Sequence, residues 1–194
     1  MLNRIKSSIL NRLWFNHFKP KMVLGYKRKQ DNVYLANTRI SNTTAITGET
    51  HLDIGDHVFI GHHNFIDASN GLTIGKGCQI TNFVSIITHS SHIAIRLYAD
   101  KYIENNGKHI GYVKGSTAIG NYCFIGPHSV IMPGVRLGVG SIVSAYSYVD
   151  QGQYPDYAIL AGSPAKIIGD SRSLDQAYLE NHPELRAYYQ RLEI

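Results

Sequence analysis

Cysteine is scarce in this 194-residue chain, which holds only Cys78 and Cys123. Two thiols without a paired C-x-x-C spacing make neither a disulfide framework nor a structural zinc cage. No apolar run approaches the roughly 18 residues of a membrane-spanning helix, and the N-terminus lacks the small-residue cleavage site of a secretory signal. The expected location is therefore the cytoplasm, and the length suits a single sizeable core. Acidic residues are missing from the first 30 positions, which carry eight Lys or Arg. The remaining eleven basic and fourteen acidic residues leave the body mildly negative, so the net charge of +5 belongs to the N-terminal arm.

Within that arm Leu2, Ile5, Ile9 and Leu13 fall at helical spacing, with Trp14 and Phe18 beside the stripe and Pro20 ending it. Such a helix packs its stripe on the body or on a neighbouring subunit. The competing expectation is peripheral contact of residues 1–20 with the inner face of an anionic membrane. Nucleic acid is not an expected partner, because no recognition motif accompanies the charge.

What the sequence has in abundance is a beat of six. Ile54, Ile60, Ile66 and Leu72 keep it, as do Ile74, Ile80 and Ile86, and again Ile119, Ile125, Ile131, Leu137, Val143 and Val149. An earlier set is Tyr34, Ile40, Ile46 and Leu52, and glycine follows the aliphatic residue in "IGDHVF", "IGHHNF", "IGKGCQ", "IGNYCF", "IGPHSV" and "LGVGSI". Six is not a helical period. A triangular solenoid explains it: each short strand points one aliphatic residue inward, and a turn with unusual backbone angles leads to the next side. Three hexads plus two residues make a coil of twenty between Ile54 and Ile74. Cys78, Cys123, Val58 and Val84 all stand four after an inward residue, which reads as a small buried slot rather than as reactive thiols.

These hexads resemble the left-handed parallel β-helix of the hexapeptide-repeat acyltransferases. The expected architecture is an all-β solenoid over residues 34–169, with a protruding loop at 90–116, a basic helical arm at 1–33 and a short helical tail at 170–194. Hexads specify fold better than function.

After Ile86 the beat stops until Ile119, so "HSSHIAIRLYADKYIENNGKHIGYVKGS" must leave the solenoid. A long excursion rich in aromatic and charged residues reads as an ordered functional flap. His89 is held at its base by the coil, and histidine is the residue type best suited to accept a proton near neutral pH. "THSSHIAIR" is similar to the stretch of the galactoside, maltose and nodulation-factor O-acetyltransferases in which an arginine stands seven residues after the catalytic histidine. By that resemblance His89 is the general base, and Arg96 and His92 are candidate substrate contacts. Arg96 has two readings, an anchor for acceptor or coenzyme phosphate and a pin for the loop; His92 has a solvent-facing reading beside acceptor contact. His57 and His62 are five apart but occupy different places in their hexads, and no third ligand accompanies them, so no metal is expected.

The later hexads are similar to the family's coenzyme-binding coils, and "YPDYAILAGSPAKIIG" to its closing segment. The resemblance implies acetyl-CoA as acetyl donor, bound by Phe124, Ala145, Ser147 and Lys166. Tyr146 stands where the family has a glycine, and Phe124 where it often has tryptophan. It also implies a homotrimer with the coenzyme between neighbouring solenoids. The expected activity is acetyl transfer to a hydroxyl of a sugar, such as a bacterial surface polysaccharide or its precursor. The alternatives are an N-acetyltransferase of a nucleotide-linked amino sugar, a metal-dependent hydratase and a non-catalytic scaffold. "SLDQAYLENHPELRAYYQRLEI" reads as one or two short helices around Pro183.

Overall fold

The computed structural model describes residues 19–105 and 109–193, together with Lys6 and Leu10. The apolar stripe of Leu2, Ile5, Ile9 and Leu13, with Trp14 and Phe18, lies outside the described residues. From residue 34 the chain winds into a three-sided solenoid whose sides are parallel sheets of very short strands. The inward residues stack in register. One ladder runs Ile40, Ile60, Ile80, Ile125, Val143 and Leu160. The second runs Ile46, Ile66, Ile86, Ile131 and Val149, and the third Ile54, Ile74, Ile119, Leu137 and Tyr154. All but the terminal members Ile40, Ile46 and Tyr154 are buried. Each buried Ile or Leu contributes about 1.5–3 kcal/mol relative to exposure, so the ladders are the core. Cys78 and Cys123 sit beside Val58 and Val84 inside it, their thiols donating to the Gly120 and Gly138 carbonyls at 3.0 and 3.1 Å.

The hexad glycines have a different cause from the one their sequence position suggests. Gly55, Gly61, Gly75, Gly120, Gly126 and Gly138 do not take positive φ; a Cβ on any of them would run into the next coil, 2.5 Å from the Ala145 nitrogen for Gly126 and 2.3 Å from the Asp156 nitrogen for Gly138. The left-handed residue of each turn comes two positions later. Along one edge of the prism these are His57, Gly77, Tyr122, Gly140 and Tyr157, and along the next His63, Phe83, His128 and Tyr146. Close coil stacking, not turn conformation, therefore selects the hexad glycine.

Both ends of the first sheet are covered. Met22–Lys27, expected as part of the arm, pairs antiparallel with Tyr34–Ser41. Tyr34 is accordingly exposed rather than inward, its hydroxyl lying against Gly25, and Leu35 takes the buried place. At the other end Ala158–Gly162 folds back antiparallel onto Ala165–Asp170, so that the "AGSPAK" stretch is a hairpin tip. In the excursion from the solenoid lies helix α1 (Ala94–Tyr98). The tail holds α2 (Arg172–Asn181) and α3 (Arg186–Tyr189), with a 3-10 turn at Pro183–Leu185 between them. Ser171 fixes the start of α2 by donating to the Gly140 carbonyl at 2.8 Å, and Arg172 lies over the Tyr157 ring at 4.7 Å. Among the described residues no helix is long and apolar enough to cross a membrane.

Candidate active site

His89 stands where the excursion leaves the third edge of the prism. Ile86 stacks on Ile66, which puts the chain just after Ile86 beneath the end of Phe65–Asp67. The side chain of Asp67 is 1% exposed and faces this spot. Its Oδ1 accepts from the Ser69 N–H at 2.9 Å and the Thr47 hydroxyl at 3.2 Å. Its Oδ2 accepts from the Thr88 N–H at 3.0 Å, the Thr88 hydroxyl at 2.7 Å and His89 Nδ1 at 2.8 Å. Burial alone would raise the Asp67 pKa, but the hydrogen bonds from Ser69 and Thr88 outweigh it and hold the carboxyl well below the usual carboxylate range.

An ionised carboxylate can only accept, so Nδ1 of His89 carries the proton and donates. In the neutral ring Nε2 is then left with its lone pair. The side chain remains 40% exposed, so a hydroxyl from solvent can reach it. A buried carboxylate on one ring nitrogen and an accessible lone pair on the other is an arrangement suited to proton abstraction and to stabilising the imidazolium that results.

The excursion folds over this pair. His89–Ser90 forms a two-residue antiparallel ribbon with Val113–Lys114, His89 opposite Lys114. The Tyr112 ring stacks on the His89 ring with centroids 5.7 Å apart and planes within 10°. Behind it Tyr102 stacks on His109 at 4.1 Å, Tyr98 meets His109 edge-on at 4.9 Å, and the Tyr98 hydroxyl accepts from the Ile110 N–H at 3.1 Å. His109 Nε2 donates to the Tyr102 carbonyl at 2.6 Å. Ile93 and Leu97 pack against the turn at Gly111, where a Cβ would lie 2.8 Å from Ile93 Cγ2.

Arg96 and His92 sit at the mouth of the excursion. The Arg96 guanidinium donates to the His92 carbonyl within its own turn of helix, and His92 Nδ1 is 2.9 Å from the Ser90 hydroxyl. Both are exposed, and neither hydrogen-bonds His89. Phe124 is on the outside of the first sheet, 40% exposed. Ala145 is exposed on the second edge. Ser147 turns inward: its hydroxyl donates to the Ser144 carbonyl at 2.7 Å, its N–H to the Ser129 hydroxyl at 3.4 Å, and its carbonyl accepts from the Val130 N–H at 2.8 Å. Lys166 is exposed on the closing hairpin, opposite Ala161. One chain therefore places His89 on one edge of the prism and Ala145 on another, and does not bring the two groups together.

The departure at Tyr146 has a local reason. With φ 58° it adopts the left-handed conformation a glycine would supply, and its ring ends a stack along the second edge. The stack runs His63, Phe83, His128, Tyr146 with centroid spacings of 5.2, 4.9 and 4.8 Å. Asp67, Thr88 and Tyr112 were not singled out by sequence reasoning. The signal for Asp67 is a carboxylate directly after an inward isoleucine, one coil of twenty plus two residues before His89.

Residues 116–151 match the family model described as bacterial transferase hexapeptide (six repeats). The chain is 48% identical over 54 residues to a chloramphenicol acetyltransferase of Morganella morganii, 28% of this chain and 25% of that one. It is 36% identical over 110 residues to protein CapG of Staphylococcus aureus, 57% of this chain and 59% of that one. Among solved structures it resembles the hexapeptide-repeat acetyltransferase VCA0836 of Vibrio cholerae in complex with acetyl coenzyme A, with a TM-score of 0.56 at 25% identity over 66% of this chain and 64% of that one. The chain thus spans from a quarter to about three fifths of the length of these curated relatives.

Proposed function

We propose that this chain, a hexapeptide-repeat β-helix protein, transfers the acetyl group of acetyl-CoA to a hydroxyl of a sugar, with His89 as general base. The observation that carries the reading is the Asp67–His89 pair at 2.8 Å, set at the root of an ordered excursion on this repeat scaffold. Nε2 takes the acceptor proton as its oxygen attacks the thioester carbonyl carbon. The tetrahedral adduct collapses with cleavage of the carbon–sulfur bond, and the imidazolium returns the proton to the departing thiolate. Asp67 stabilises the imidazolium between these steps. Transfer is direct in this reading, since among the described residues no serine or cysteine hydrogen-bonds the imidazole as a nucleophile would.

Phe124, Ala145, Ser147 and Lys166 form the donor side of the proposed site, and Arg96 and His92 its acceptor side. The separation of His89 and Ala145 onto different edges supports a homotrimer in which one subunit presents its base to coenzyme held on the next. The left-handed coil and an acceptor on a bacterial surface polysaccharide or its precursor belong to the same proposal. An amine acceptor would use the same base. Purified protein offered acetyl-CoA with a panel of hydroxyl sugars and amino sugars, with the products identified by mass, tests the reading: O-acetylated product supports it. N-acetylated product alone replaces it with the amine reading, and no transfer to any acceptor by a protein that fails to bind acetyl-CoA removes both.

A further inference from the structure

We infer that Tyr112 is a positioning residue for His89, locking the face of the imidazole as Asp67 locks its edge, so that the excursion and the base are set as one unit. The inference rests on the reading of His89 as the base.

A single hydrogen bond from Nδ1 to Asp67 leaves the imidazole free to tilt about that bond. A second, non-collinear contact is needed to fix the ring plane, and the Tyr112 ring supplies it, nearly parallel at 5.7 Å. The ribbon makes the contact possible. His89 is directly opposite Lys114, and residues two apart on a strand project from the same side, so the diagonal neighbour of His89 on that side is Tyr112. Aromatic pairs in offset stacks are favourable beyond their area, and the contact covers one face of the ring while leaving the side chain 40% exposed for a reactant.

The phenol is held in turn. Gly111, immediately before it, has φ 82°, and a Cβ there would lie 2.8 Å from Ile93 Cγ2 and 3.2 Å from Leu97 Cδ1. The Tyr102, His109 and Tyr98 rings form a packed cluster beside it. The stacking needs an aromatic face and not the hydroxyl, for which no hydrogen bond is made among the described residues.

The test compares wild type with Tyr112→Phe and Tyr112→Leu, reading turnover, the KM for acetyl-CoA and the imidazole nitrogen and carbon-bound proton resonances of His89 by NMR. Tyr112→Phe should keep turnover within about twofold and leave the His89 resonances in place. Tyr112→Leu should lower kcat about tenfold or more with the KM for acetyl-CoA unchanged, as expected when a base is misoriented by a fraction of an ångström. Its His89 resonances should also move. Wild-type kcat in Tyr112→Leu overturns the inference. So does an equal loss in Tyr112→Phe, which would assign the effect to the hydroxyl. A loss confined to Tyr112→Leu with unmoved His89 resonances overturns it too, by placing the effect outside the imidazole. His89→Ala run alongside separates the two levels: if it too keeps full turnover, the assignment of the base fails rather than that of its support.

Discussion

Replacing Asp67 with asparagine keeps the shape of the side chain and removes one acceptor, and the surrounding donors determine the cost. The two carboxylate oxygens receive five donors, two of them backbone N–H groups of Ser69 and Thr88. If the new NH2 takes the place of Oδ1, it faces the Ser69 N–H; if it takes the place of Oδ2, it faces the Thr88 N–H and His89 Nδ1. Either way a backbone N–H loses its partner, at about 1–3 kcal/mol for the buried Thr88 N–H and less for that of the exposed Ser69. With an m-value of roughly 1–3 kcal/mol/M, the urea midpoint should fall by about 1 M. In the second placement His89 must accept at Nδ1 and carry its proton on Nε2, the wrong tautomer for a base. Turnover should drop about 100-fold or more, equivalent to about 2.7 kcal/mol of barrier. Urea unfolding and acetyl transfer measured on the same preparation, with imidazole nitrogen NMR to report the tautomer, check both effects. An Asp67→Asn protein with wild-type midpoint and turnover would refute the role given to the carboxylate. The pH dependence has a definite sign. The folded pKa of Asp67 lies below the unfolded value of about 4, so its contribution to stability is complete above that value and is lost as pH falls towards the folded pKa. The stability gap between the two proteins should therefore narrow as pH falls below about 4.

Gly138→Ala should destabilise the solenoid by about 1–3 kcal/mol although φ there is unexceptional, because the methyl would meet the Asp156 nitrogen at 2.3 Å; calorimetric unfolding measures this, and an unchanged melting temperature would reject the stacking explanation of the hexad glycine. Cys78 and Cys123 should resist iodoacetamide in the native protein and both react after unfolding, since both are buried and the Cys123 thiol is pushed up by the adjacent Cys78 sulfur and by burial; mass spectrometry before and after urea distinguishes the outcomes.

The solenoid was legible because its period is written into consecutive residues: every inward ladder position from Ile54 to Val149 could be named from the beat of six, and the hole in the beat located the excursion. The reason for the glycines was not, because a contact with the neighbouring coil depends on stacking distance, which no stretch of sequence displays. His89 was visible as a histidine at the edge of the hole. Asp67 was hidden by being ordinary, one carboxylate among fourteen acidic residues, and it acquires its partner only when one coil lies over the next. Tyr112 depends on the pairing of His89–Ser90 with Val113–Lys114 across more than twenty intervening residues that include α1, a closure that composition does not specify. Tyr146 is the converse case: the sequence shows only that it stands where a glycine is expected, and the structure gives it a place at the end of a ring stack.

Release of free coenzyme A thiol from acetyl-CoA, in the presence of the sugar panel, by wild type and by His89→Ala at matched coenzyme occupancy is the most direct test of the central claim. The account predicts acceptor-dependent release by wild type and about 100-fold slower release by the variant, with acetyl-CoA still bound. Turnover by His89→Ala close to that of wild type would contradict it.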